Sequence, residues 1–303
     1  MRHTLPLART LLVALFAALI GYGGALHAQP YPAGKSLRIA SINGEDIEIH
    51  AYKPAQYAGG PVLLVLHGLG ANATGYRDYA IPLADKLGYL VIAPLFDRKR
   101  FPVWRYQTGG IVRDQRAAEL KVEPQAQWTG QLFLAIVNSV RKSEENPDLG
   151  YSLIGHSAGG QTLSRFAAFI PHQAGRIVIA NPSTHLLPSL TERFPYGFGG
   201  LPPAMANEAA LKRYLAQPVT LLLGTADNKR DRDLNVSEGA DRQGANRLER
   251  GHNTFRIAQE LAKQHGWPFA WQLIEVPDVG HSARLMLGSP QAAEAVTTDK
   301  QLP

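Results

Sequence analysis

The sequence predicts an α/β fold: a mostly parallel sheet of about eight strands, helices on both faces and a small cap. Three observations predict it. From Val62 onward, short apolar runs alternate with helical patterns. Gly155-His156-Ser157-Ala158-Gly159, a G-x-S-x-G sequence, falls between the apolar run Tyr151–Ile154 and a helical pattern over Ala158–Phe169. That is the strand–turn–helix setting of a nucleophile elbow. His67-Gly68-Leu69-Gly70, Asp227 and His281 each follow another apolar run, and ligands of open parallel sheets collect at the carboxyl ends of strands.

With 303 residues, 45% of them hydrophobic, the chain can bury a sizeable core. Residues 1–28 read as a signal peptide. Arg2 and Arg9 precede the apolar run Leu11–Ile20, and Leu26-His27-Ala28 is an acceptable processing site. The alternative is an uncleaved anchor, but Gly21, Gly23 and Gly24 break the run before spanning length. Residues 29–303 then form a single domain, periplasmic or secreted, with no stable membrane anchor. There is no cysteine. Disulfides, thiol nucleophiles, thiolate metal sites and a cysteine-linked lipid anchor are therefore excluded.

Ser36–Ser41 and Asp46–Tyr52 alternate apolar and polar residues around Asn43-Gly44, an edge hairpin with a type I′ turn. Val62–Leu66 reads as a buried strand, Arg77–Leu87 as a short helix ended by Gly88, and Tyr89–Ala93 as the next strand. Residues 94–127 form a long irregular connection carrying Phe101, Trp104 and Tyr106 among arginines. Loops of this length often carry function. Trp104 and Tyr106 are candidates for a substrate rim, and packing of the loop is the alternative. Trp128–Lys142 is helical. After the elbow helix come the strand Arg176–Ala180, a proline-rich stretch 181–217 that could hold the cap, and the strand Val219–Leu223. A polar loop over 228–253, a helix over Thr254–His265, a strand over Phe269–Val276 and a frayed tail past Gly288 complete the reading.

Net charge is +6, dispersed except for Arg98–Arg105 and Arg113–Lys121. These stretches are either a solvated surface or an attraction for an acidic polymer. No pattern argues for nucleic acid. Ala33-Gly34-Lys35-Ser36 lacks the first glycine of a phosphate loop, and Asp231–Arg242 lacks the glycine and glutamate of a calcium loop. We expect no cofactor and no metal.

A serine hydroxyl is a weak nucleophile and needs a base within hydrogen-bond reach. Ser157 is the candidate nucleophile. Among ten histidines, His281 is the candidate base, because it follows the last strand in a glycine loop. His252 is the rival, whereas His67 and His156 adjoin the turns and should shape them. Asp227 is the candidate acid; Asp231, Asp233 and Asp278 are alternatives. The backbone N–H groups of Leu69 and Ala158 are candidate oxyanion donors.

On these motifs the chain resembles the α/β-hydrolase superfamily over about residues 37–287. The order Ser157, Asp227, His281 is that superfamily's order. The H-G-x-G, the small cap and the Gly224-Thr225-Ala226-Asp227…Gly280-His281 ending most resemble poly(3-hydroxybutyrate) depolymerase-like and feruloyl-esterase-like secreted esterases. The resemblance implies a serine hydrolase that cleaves a small-molecule or polymeric carboxylic ester through an acyl-enzyme. Amide or polyamide hydrolysis of an acidic polymer, acyl transfer, and non-catalytic binding on the same fold are the alternatives.

Overall fold

The computed structural model describes residues 29–297; the expected signal peptide lies outside them. β1 (Gly34–Ile42) and β2 (Glu45–Lys53) form the antiparallel edge hairpin. Its turn residues Asn43 and Gly44 have φ of 51° and 82°, the positive pair that a type I′ turn requires. With β3 (Val62–Leu66), β4 (Leu90–Pro94), β5 (Tyr151–His156), β6 (Ile177–Ala180), β7 (Val219–Gly224) and β8 (Gln272–Val276), they make one eight-stranded sheet. Its order is β1-β2-β4-β3-β5-β6-β7-β8. β2 meets β4 antiparallel, and all later neighbours are parallel. β3 to β7 are buried along their whole length, which is why they read as continuous apolar runs.

The helices are α1 (Ala73–Tyr79), α2 (Ile81–Leu87), α3 (Val103–Tyr106), α4 (Thr129–Ser143), α5 (Ala158–Phe169) and α6 (Glu208–Leu215). They continue with α7 (Glu238–Asp241), α8 (Arg247–His265), α9 (Ala283–Leu287) and α10 (Pro290–Val296). Alternate strand residues face opposite ways, and two cores result. Leu64 and Leu66 of β3 pack with Phe133 of α4, Leu163 of α5, Leu211 of α6 and Ala258 of α8. Leu63 and Val65 pack with Tyr76 of α1, Leu83 of α2, Met286 of α9 and Val296 of α10. Each such buried aliphatic side chain contributes about 1.5–3 kcal/mol.

Among the differences from the sequence reading, three stand out. The helix expected over Arg77–Leu87 is two helices, α1 and α2. Asn72 caps the first through the Gly75 N–H, and Pro82 sits in the first turn of the second, where its missing N–H costs nothing. Past Gly288, residues 289–297 are not frayed. Ser289 caps α10, which buries Ala292, Ala293, Ala295 and Val296 against the sheet. Small residues gave a weak hydrophobic signal there. The third difference matters for the site: the stretch expected to be loop up to residue 253 already contains the first turns of α8. Asn246 caps this helix through the Glu249 N–H, and Glu249 accepts from the Ala245 N–H.

Candidate active site

The site grows from the carboxyl ends of the parallel strands β3 and β5 to β8. β5 runs straight into α5 through Ser157, which has φ 57° and ψ −116°, a sparsely populated conformation for a residue with a side chain. Close packing holds it there. A Cβ on Gly159 would lie 2.5 Å from the Leu66 carbonyl oxygen, and one on Gly155 would lie 2.5 Å from the Gly159 backbone. The two glycines let α5 dock on β3 and β5 at backbone distance, and the turn has no room to relax.

Three side chains distant in the chain meet here. His281 Nε2 lies 3.1 Å from Ser157 Oγ, and its Nδ1 lies 2.8 Å from Asp227 Oδ2. A carboxylate only accepts, so Nδ1 carries the hydrogen and Nε2 is left to accept from the serine hydroxyl. Asp227 is buried, follows β7 through Gly224, and receives a second bond from Arg247 Nη1 at 3.3 Å. Asn181, just past β6, ties the two loops together: its Oδ1 accepts from the Gly224 N–H and its Nδ2 donates to the Gly280 carbonyl. An imidazole so placed can take a proton from the hydroxyl and later return it.

The other histidines have structural surroundings. His67 Nδ1 donates to the Gly68 carbonyl, and its Nε2 accepts from the Phe96 N–H. Burial depresses its pKa to about 4, so it stays neutral and fixes the turn. His156 lies beneath the elbow, its ring 4.6 Å from that of His281 and its Nδ1 bonded to the Tyr76 hydroxyl. Burial, then the neighbouring His281 and Arg247 charges, push its pKa well below the usual value. His252 is exposed and pairs with Glu275. The alternative acids also fall elsewhere. Asp231 binds Arg247 at 2.6 and 2.9 Å, Asp233 lines the cavity wall, and Asp278 is exposed.

Ser157 opens into a cavity of about 550 Å³, whose lining includes Leu69, Ala158 and His281. The Ala158 N–H belongs to the first turn of α5, where backbone donors have no partner within the helix. The expected rim is corrected. Tyr106 is buried, and its hydroxyl donates 2.8 Å to the His67 carbonyl. Trp104 lines a separate cavity of about 520 Å³ and stacks under Arg113 at 4.7 Å. Two residues apart on a helix means about 200° of rotation. The pair therefore cannot face one surface, and the buried phenol takes a backbone acceptor. The charged groups on the Ser157 cavity are Arg98, Arg232 and Asp233.

The sequence reading missed Arg247, Asn181 and Tyr76. Only Arg247 left a signal: Asn246 followed by Glu249 is a helix-start pattern, which would have moved residue 247 out of the loop.

A sheet in this order with the serine turn after β5 defines an α/β-hydrolase, and the chain belongs to that family. No protein-family model matches it, and no curated protein matches it significantly. Solved structures do. Poly(aspartic acid) hydrolase-1 from Sphingomonas sp. KT-1 is 32% identical over 88% of this chain and 99% of its own, with a TM-score of 0.80. LpqC, a poly(3-hydroxybutyrate) depolymerase from Bordetella parapertussis, is 32% identical over 84% of this chain and 88% of its own, with a TM-score of 0.77.

Proposed function

We propose that the protein is an exported serine hydrolase that cleaves carboxylic ester bonds through an acyl-enzyme, with Ser157 as nucleophile, His281 as base and Asp227 as acid. One observation carries the reading: the His281 ring contacts Ser157 Oγ and Asp227 Oδ2 at the same time. Ser157 Oγ attacks the carbonyl carbon as its proton passes to His281 Nε2. The oxyanion takes hydrogen bonds from the Leu69 and Ala158 N–H groups. Collapse breaks the ester bond, and His281 returns the proton to the leaving alcohol. Water then repeats the sequence, releasing the acid and regenerating Ser157. The charged N-terminus followed by Leu11–Ile20 supports export.

A second reading has an observation in its favour. Arg98 and Arg232 line the cavity, a suitable setting for an acidic polymer, and one relative is a poly(aspartic acid) hydrolase; the depolymerase relative favours the ester. Turnover of p-nitrophenyl esters, polyester and poly(aspartic acid) by wild type and Ser157→Ala separates the two. Labelling by a fluorophosphonate should be lost in Ser157→Ala. Full turnover by that variant would remove the whole reading.

A further inference from the structure

Arg247 is the least expected group beside the site. Its side chain is completely buried at the start of α8. Its guanidinium reaches two carboxylates: Nη1 lies 3.3 Å from Asp227 Oδ1 and 2.6 Å from Asp231 Oδ2, and Nη2 lies 2.9 Å from Asp231 Oδ1. The next residue repeats the attachment through the main chain, the Leu248 N–H donating to the Asp227 carbonyl at 3.2 Å. The first turn of α8 therefore grips Asp227 by carboxylate and backbone at once. Asp231 is more exposed and forms the outer end of the chain of contacts His281, Asp227, Arg247, Asp231.

We propose that Arg247 is a positioning residue for the reaction: anchored two-pronged by Asp231, it holds Asp227 so that the other carboxylate oxygen meets His281 Nδ1. The proposal rests on the Ser157–His281–Asp227 reading above. Its physical reason is that a lone carboxylate can rotate about its own axis, while one with both oxygens engaged cannot. Burial works against the arginine charge, yet the bonds to Asp231 and Asp227 outweigh it and keep the guanidinium charged. The Arg247 hydrogen bond, opposed by burial and reinforced by the arginine's charge, holds Asp231 down to about 2. The cluster thus sets two carboxylates and one guanidinium beside the imidazole.

That charge count gives a signature that loose packing would not produce. The charged and titratable groups around the His281 ring are Asp227, Arg247 and Asp231 on one side and His156 beneath. Arg98, Arg232 and Asp233 lie across the cavity. Removing the positive charge favours the protonated imidazole; removing the outer negative charge disfavours it. In Arg247→Gln the acid limb of kcat/KM should move to higher pH, and in Asp231→Asn to lower pH, each by about half a unit or more. With a soluble p-nitrophenyl ester, Arg247→Gln should lose on the order of 10²-fold in kcat while KM changes little, as expected for a misplaced reacting group. Fluorophosphonate labelling should slow in parallel.

Breaking a buried ion pair is costly, so Arg247→Gln is first checked for folding by circular dichroism. If it does not fold, Asp231→Asn decides alone, because it leaves the arginine in place. A downward shift of its acid limb supports the proposal. Wild-type kcat and acid limb in Asp231→Asn or in folded Arg247→Gln, or shifts in the same direction, overturn it. Ser157→Ala is run alongside: turnover surviving there sinks the underlying reading, whereas turnover lost there with unaltered Arg247 and Asp231 variants sinks only the positioning role.

Discussion

Acid should destabilise this protein well above the pH at which its carboxylates protonate, and four histidines set the size of the effect. His67, His156 and His185 are each no more than 3% exposed. Burial lowers His67 and the half-buried His172 to about 4; burial, then the Arg165 and Arg250 charges, lower His185 to about 3; His156 lies well below the ordinary value. In the unfolded chain each has a pKa near 6.5. Between that value and the folded one, the unfolded state binds up to four protons that the folded state does not, so stability falls as pH falls. At pH 5.5 each histidine costs about 1.3 kcal/mol relative to pH 7.5, and the four together about 5 kcal/mol. That is a large share of the ~5–15 kcal/mol typical of a domain. The bonding agrees. A proton on His67 Nε2 would destroy its bond from the Phe96 N–H, and the Nε2 atoms of His156 and His185 are buried without a partner. Urea unfolding of the protein at several pH values measures the slope directly. His185→Asn should flatten it by about a quarter. Equal unfolding free energies at pH 7.5 and 5.5 would refute the argument.

Three further outcomes are expected. Asp227→Asn should cost about 10⁴-fold in kcat with the fold retained, since an amide cannot hold the imidazole in the working tautomer; a mild loss in steady-state turnover, with a severe one in Asp233→Asn, would move the acid. Gly159→Ala pushes a Cβ to 2.5 Å from the Leu66 carbonyl oxygen and should destabilise by ~2–3 kcal/mol or more; an unchanged melting temperature would contradict the close packing of the elbow. Tyr106→Phe should lose about 1 kcal/mol of stability, the worth of one hydrogen bond, with kcat/KM near wild type; a tenfold drop in kcat/KM at unchanged melting temperature would return Tyr106 to the substrate surface.

The strand sequence of the sheet was legible because β3 to β7 are buried on both faces, which leaves uninterrupted apolar runs bounded by glycine and polar residues. The serine turn was legible because its glycines are required by backbone contact: no side chain fits where Gly155 and Gly159 sit. Asp227 and His281 followed from their positions just after strands. These are local properties, written at fixed spacing along the chain.

What only the tertiary structure decided is which side chains meet once strands far apart in the chain become neighbours. Asp231 faces Arg247 rather than His281; Arg247 lies against Asp227, twenty residues away; and Tyr106 turns inward to the His67 carbonyl while Trp104, two positions earlier, lines another cavity. Direction around a short helix, and the partner a buried polar group finds across a turn, depend on the packing of the whole sheet. No pattern of residue types carries that information, because the hydrogen bonds that settle it join segments whose separation along the chain is arbitrary.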